Sequence, residues 1–582
     1  MVIPAKGDPG SSRPEESRKQ SSATWLLYLA VLLASISVAQ LLIRGGSLVG
    51  FQHELRYGEA VVLDQARRSA ADPGLYPEVG KEPWLLDQYA PFYPWLAQLA
   101  GGFSSTPYGG GRAISLISTL VSALMLTLIV RRVSGLAAGL FCGATMLTML
   151  EFLRFGFLMR VDPLALALAM VGVWCTQDKS TRMRVLGAAA FFFAVYTRQT
   201  TVALLLASYA HLFLKEGRTA LKWPVALLAV GLLFHGILSA ATGGSFHQHA
   251  VTSNLFRFEW FEGMKKAFGY FIPWKLPLFF ATFLALVPVG GGKNNRKLIF
   301  GSMAVALLLI APLLQEFFSK GAVTVDSNYM ILYAHVVLLI AAMLVIFRPE
   351  STNRIDGVRI LLALASMVLI GRIGSDLNYL FEAGVLFLVV CGCSIGKAPP
   401  WRATTISTLL AIQVVSGFYL SRGLPEFQPE RLNEIRYRQQ IIDHLGRFED
   451  PILSEEPWAL AEAGRPLVIE PFTARQMYES KFWDAKDLIA ALDAQRYRAI
   501  VRAQQRIAPG YERDESGNII FGPDGTPRYY FANWTFNGVR SLPLEVQEAI
   551  ERNYQKVPRT TMIERVTSAF LEGREIWEPI PR

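Results

Sequence analysis

Apolar runs of about 15 to 22 residues recur from Trp25 to Tyr419, and a helix needs ~20 apolar residues to cross the hydrocarbon core of a bilayer. The pattern predicts about thirteen transmembrane helices, near 24–43, 113–131, 135–150, 162–177, 184–197, 199–214, 222–242, 269–290, 298–315, 328–347, 356–371, 379–396 and 403–420. The runs at 184–197 and 199–214 are short for full crossings. Residues 1–23 are polar, with Pro, Gly and Ser, and read as a disordered cytoplasmic end. No short apolar core with a small-residue cleavage site follows, so 24–43 reads as a retained span rather than a removed signal.

After Ser421 charged residues become frequent and no membrane-length run remains. The expected fold is therefore a polytopic α-helical membrane domain over 24–420 and a soluble α/β domain over 421–582. In the tail, residues 429–448 read as a polar helix. Pro451-Ile-Leu-Ser454 and Pro466-Leu-Val-Ile469 read as strands, residues 485–495 as a helix and residues 497–503 as another strand. Turns at Asn518 and Gly525 mark a hairpin, and Asn533-Trp-Thr535 fits a glycosylation acceptor.

Charge fixes the topology. With the N-terminus inside, the inside connectors carry Arg131 and Arg132; Lys179, Arg182 and Arg184; Lys215, Arg218 and Lys222; Lys293, Arg296 and Lys297; Arg348 and Arg354; Lys397 and Arg402. Cytoplasmic loops collect Lys and Arg, so the alternate loops and the tail lie outside. The net charge of +10 is then mainly an orientation signal, and nucleic acid is excluded as a partner. The four cysteines (Cys142, Cys175, Cys391, Cys393) all sit in apolar segments and read as small packing residues, with no disulfide or zinc framework.

The candidate chemistry lies on the outer side. The first external loop, within 44–112, carries Glu54, Glu59, Asp64 and Asp87, and a carboxylate there can act as general base toward a hydroxyl. Arg160-Val-Asp162-Pro163 stands where an outer loop enters a span, and Arg198-Gln199 forms the outer turn between two short spans. Either arginine can hold a phosphate; Asp162 can equally cap its helix. His247 and His249 occupy an aromatic-rich outer loop, where two histidines alone are weak grounds for a metal. Glu382 lies inside the start of a span, about one turn beyond Asn378, so both can face one cavity. An ionisable residue at that depth is a functional candidate in its own right.

Together these residues are similar to those of the polytopic GT-C glycosyltransferases, which include protein O-mannosyltransferases and lipid A aminoarabinose transferases. The first-loop acids, Leu75-Tyr76, Tyr89-Ala-Pro91-Phe-Tyr93-Pro94 and Gly111-Arg112 resemble their first external loop. Arg160-Val-Asp162-Pro-Leu-Ala resembles an RPD-Leu-Ala element with Val161 for the proline, and Thr197-Arg198-Gln199-Thr200 a Lys-Gln-Thr element with Arg for Lys. Gly374-Ser-Asp-Leu-Asn378-Tyr-Leu-Phe-Glu382 is similar to a further element of one subgroup, as is Ile452-Leu-Ser-Glu455 with Phe482-Trp-Asp484. The paired Asp-Glu of many members is absent, which leaves the base between Glu59 and Glu54, with Asp162 next.

The resemblance implies an enzyme of a bacterial inner membrane, its tail on the periplasmic side. It would transfer a monosaccharide from a polyprenyl-phosphate donor to a hydroxyl of a glycan, lipid or protein acceptor, with inversion. Arg160 and Arg198 would hold the leaving phosphate, and Gln199, Tyr89, Asn378, Glu382 and His247 would line the substrate site. No metal ligand is assigned and no cofactor is required, although some relatives use a divalent metal. The alternatives are a transporter or flippase for a lipid-linked saccharide and a non-catalytic membrane scaffold. The first calls for inverted repeats and mid-membrane broken helices, and the sequence has no clear repeat; the second leaves Glu382 and the arginines beside spans without a reason.

Overall fold

The computed structural model describes residues 13–70, 74–252, 258, 275–286, 354–372, 374–422, 424, 430–449, 451–503, 542–557 and 574–581. The expected spans 298–315 and 328–347, part of 269–290, the turns at Asn518 and Gly525, and Asn533 lie outside the described residues. In chain order the first helices are α1 (Arg13–Val49), α2 (Glu59–Arg68), α3 (Phe92–Gly101), α4 (Gly109–Ser134), α5 (Leu136–Thr148), α6 (Leu150–Phe155), α7 (Val161–Thr176), α8 (Thr181–Val195), α9 (Ala203–Glu216), α10 (Lys222–Ala241) and α11 (Ser245–Ala250). The helices Lys275–Leu286, Arg354–Val368, Phe381–Ile395 and Pro400–Ser421 follow among the described residues.

Among the described residues, five segments are long and apolar enough to cross a membrane: Trp25–Val49, Gly109–Ser134, Ala203–Ala241, Leu377–Ile395 and Pro400–Ser421. Helices α5, α7 and Lys275–Leu286 are apolar but shorter. No residue of α10 is buried, and Leu232 and Leu233 are each 65% exposed. Such a surface fits lipid rather than water. Two boundaries differ from the sequence reading. Helix α1 is described from Arg13, so that 13–23, expected to be disordered, are helical; Glu, Lys, Arg and Gln there are good helix formers. The span expected at 199–214 begins only at Ala203, after a turn at Arg198 and Thr201.

Residues assigned to the two faces gather at opposite ends. At one end the Ser134 hydroxyl accepts from the Gly396 N–H at 2.9 Å, Arg184 grips Glu216, and Asp356 faces Lys397 at 3.9 Å. At the other, the first loop, the turn at Arg198 and the 374–382 segment meet the tail.

In the tail, β1 (Ile452–Ser454) runs parallel to β2 (Ala499–Ala503), while β3 (Tyr554–Lys556) and β4 (Arg574–Pro579) complete a sheet of order β1-β2-β4-β3. The helix Lys486–Asp493 lies between β1 and β2 in sequence, as expected. The segment 466–469 is not a sheet strand. Ile469 bridges Trp84 of the first loop instead, and the Trp84 N–H donates to the Val468 carbonyl at 2.8 Å. Backbone groups that a strand would offer to the sheet are thus taken by the membrane part.

Loop and tail share their cores. Ala60, Val62, Leu63 and Ala66 of α2 pack with Leu445, Ile452, Trp458 and Leu460, and Trp84 and Leu86 pack with Leu453, Ile469, Phe472 and Trp483. Trp458 is 2% exposed. Trp458→Ala should cost about 3–5 kcal/mol of local stability. The expected readout is a lower thermal midpoint, with new protease cleavage inside 52–96 of the otherwise intact protein.

Candidate active site

The first loop is tied down by a buried ion pair. Arg112, near the start of α4, meets both carboxylate oxygens of Glu59 at 2.8 Å, and neither residue has exposed surface. The remaining Arg112 donors reach the carbonyls of Leu48, Phe51 and His53 at 2.6–3.0 Å. Glu59 also accepts the N–H groups of Leu55 (2.8 Å) and Met159 (2.7 Å). Burial raises the Glu59 carboxyl, but the Arg112 charge and these hydrogen bonds outweigh it and hold the group below its ordinary value. Each carboxylate oxygen of Glu59 thus accepts two hydrogen bonds, and the group ties the first loop to α4 and to Met159.

Glu54 lies in a separate cluster on the tail. Its backbone N–H donates to Glu462 at 2.6 Å, its side chain accepts from the Ala60 N–H at 3.1 Å, and Arg438 donates to its carbonyl at 2.7 Å. His53 and Tyr108 also meet Glu462, at 2.6 and 3.0 Å. Burial pushes the Glu54 carboxyl up to about 7. That value suits a base, but Glu54 is not part of the cleft described next.

The narrow cleft between α7, the turn before α9 and the Phe381–Ile395 helix is lined by Asp162, Arg198, Thr200, Asn378, Tyr379 and Glu382 among others. Asp162 does not cap α7, whose N-terminus has no side-chain cap. Its carboxylate instead pairs with Arg198, accepts the Asn378 amide at 2.9 Å and accepts the Arg160 Nε at 3.2 Å. A carboxylate in the first turn is favoured by the helix dipole. Arg198 also lies 4.2 Å from the centre of the Tyr379 ring and reaches the Asn378 carbonyl at 3.4 Å. The Asn378 Oδ1 is buried and has no hydrogen-bond partner among the described residues. Glu382 faces the cleft and accepts the Leu204 N–H at 2.9 Å, which fixes the start of α9.

Arg160 stands beside the cleft wall, on the second carboxylate oxygen of Asp162, with its Nη1 at 3.3 Å from the Tyr57 carbonyl and its guanidinium 5.6 Å from the Phe155 ring centre. Tyr89 feels both groups: burial raises its phenol, the Arg160 charge opposes this and the Asp162 charge adds to it. The other expected site residues lie elsewhere. Gln199 turns to the first loop and donates to the Gln88 carbonyl at 2.9 Å. His247 is exposed and meets His235 at 3.0 Å. His249 is the histidine that matters to the loop: it accepts the Asp87 N–H at 2.8 Å while its other nitrogen meets the Pro77 carbonyl at 2.6 Å. Asp64 and Asp87 share Arg68, at 2.7 Å each. Sequence reading missed Tyr57, Arg56 and Asp376 at the rim, the last two paired at 3.3 Å. Their only sequence signal was adjacency to Glu59 and Asn378. No group of three or more His, Cys, Asp or Glu able to hold a metal occurs among the described residues.

Two outcomes follow. Glu59→Gln leaves Arg112 buried without its counter-charge, and should cost about 3–5 kcal/mol, seen as a large fall in thermal midpoint and in folded yield. Glu54 behaves oppositely. Its carboxyl is raised from 4.5 to about 7, so the folded state binds the extra proton between these values and its stabilising contribution is lost as pH rises through 7. Glu54→Gln should therefore raise the thermal midpoint relative to wild type at pH 8 and leave it nearly unchanged at pH 5.

No family model matches the chain, and no curated protein matches it. Among solved structures the chain is similar to ArnT from Cupriavidus metallidurans in the apo state, at 12% identity and TM-score 0.41, covering 84% of this chain and 93% of that one. It is also similar to the same protein bound to undecaprenyl phosphate, at 14% identity and TM-score 0.40, covering 83% and 93%. A third is the archaeal oligosaccharyltransferase AglB from Archaeoglobus fulgidus in complex with an inhibitory peptide and a dolichol-phosphate, at 12% identity and TM-score 0.46, covering 90% and 75%. These are distant likenesses, and the functional reading rests on the residues of this chain.

Proposed function

We propose that the protein is a membrane glycosyltransferase that moves a monosaccharide from a polyprenyl-phosphate donor to a hydroxyl acceptor at the extracytoplasmic face. The observation that carries this reading is one cleft, at the end of the bundle beside the tail, lined by Asp162, Glu382, Arg198 and an Asn378 amide oxygen without a partner among the described residues, with Arg160 on Asp162 at its wall. Arg198 and Arg160 supply the charge-assisted, planar donors that suit a phosphate. The Asn378 Oδ1, which has no partner among the described residues, can accept a hydrogen bond from a sugar hydroxyl.

Of the three carboxylates expected to be catalytic, Asp162 alone opens to this cleft. Donor phosphate draws Arg198 and Arg160 toward itself and frees Asp162 to take the acceptor proton. The acceptor oxygen forms its bond to the anomeric carbon, the bond from that carbon to the phosphate oxygen breaks, and the two arginines stabilise the departing phosphate. A single displacement inverts the anomeric centre. As it stands the cleft has room for about one water, so donor entry needs it to widen.

The test is transfer of labelled sugar by purified full-length protein from a panel of polyprenyl-phosphate monosaccharides. Asp162→Asn should lower kcat by at least about 100-fold, and Arg198→Gln should weaken donor binding, while Glu54→Gln retains turnover. Loss of transfer in Glu54→Gln with retention in Asp162→Asn would move the base to Glu54. No transfer from any donor by wild type would oppose the enzyme reading and favour lipid translocation.

A further inference from the structure

The tail segment Ile469-Glu-Pro-Phe472 meets the first loop at Trp84 and Tyr57 and packs on Gly374. Glu470 is buried and caps the helix Pro471–Glu479, accepting the N–H groups of Phe472 at 3.1 Å and Thr473 at 2.7 Å. Those two bonds are the ordinary task of an N-terminal cap. A third partner is not. The hydroxyl of Tyr57, a first-loop residue, donates to the same carboxylate.

Tyr57 in turn bears on Arg160. Its carbonyl accepts from the Arg160 Nη1 at 3.3 Å. The next residue, Gly58, has φ +101°, and a Cβ there would stand 3.0 Å from the same nitrogen. The Tyr57-Gly58 turn is thus one wall of the slot that holds the guanidinium, with Asp162 and the Phe155 ring as the others. The same tail segment touches the opposite rim. The Phe472 ring packs on Gly374, where φ is +82° and a Cβ would fall 2.4 Å from the ring, and Gly374 opens the run to Asn378 and Glu382.

We infer that Glu470 of the soluble domain is a positioning residue for Arg160, acting through the Tyr57 hydroxyl, so that the tail tunes how tightly the cleft holds a lipid phosphate. This rests on the phosphate-binding role proposed above. The Tyr57 ring needs no charged partner for its own burial, since a bound water would satisfy a hydroxyl at the loop surface. A carboxylate that already caps a helix holds the ring, and hence the turn, in one place.

The experiment measures binding of undecaprenyl phosphate in detergent to purified full-length wild type, Tyr57→Phe, Glu470→Gln, Arg160→Ala and the double variant Tyr57→Phe/Arg160→Ala, with the thermal midpoint of each. Tyr57→Phe leaves the helix cap intact. It should weaken binding about tenfold, the size of one charge-assisted hydrogen bond, with an unchanged midpoint. In the Arg160→Ala background the same change should have no further effect. Glu470→Gln keeps an acceptor for the hydroxyl and should weaken binding less than Tyr57→Phe does. Wild-type affinity in Tyr57→Phe, or an equal loss with and without Arg160, overturns the inference while leaving the phosphate site standing. Failure of wild type itself to bind the lipid phosphate overturns the functional reading instead.

Discussion

The Glu59–Arg112 pair is the constraint on which the outer face depends. A buried ion pair is seldom a large net source of stability against an apolar substitute, but breaking one is costly, and its geometry is specific. Here Arg112 closes the C-terminal end of α1 and the chain beyond it through the carbonyls of Leu48, Phe51 and His53. Glu59 draws in the N–H of Met159, the residue before Arg160. One carboxylate therefore fixes both the first loop and the entry to α7. The arginines of the cleft, the Tyr57-Gly58 turn and the surface on which the tail packs all follow from that knot.

The cleft uses charge differently. Asp162 is shared by Arg160, Arg198 and Asn378, residues from three separate parts of the chain. The planar donors of the two guanidinium groups suit a phosphate, with Glu382 the second carboxylate of the cleft. Around it the tail is part of the pocket's support rather than an appended module, since α2 and Trp84 of the loop lie within its cores.

Much of this was legible in the sequence for simple reasons. Span-length apolar runs report burial in lipid, a local property, so the apolar helices follow from them, five among the described residues being long enough to cross. Arg160, Asp162, Arg198, Asn378 and Glu382 stood out because charge beside apolar segments is costly without a partner. Roles within the site were less legible. Glu59 and Glu54 look alike in the chain; their different partners, Arg112 from 53 residues later for Glu59 and the Ala60 N–H for Glu54, are set by the fold. The segment 466–469 has the composition of a strand, yet its hydrogen bonds go to Trp84 in another domain. His247 and His249 differ only in which one the loop fold buries. Such choices depend on contacts between residues distant in sequence.

The most direct measurement is a cryo-EM structure of the full-length protein with undecaprenyl phosphate. The account predicts phosphate density in the cleft with guanidinium nitrogens of Arg198 and Arg160 at roughly 2.7–2.9 Å from its oxygens, and Asp162 released from at least one of them. Phosphate bound elsewhere on the outer face, with the Asp162–Arg198 pair unchanged, would contradict it.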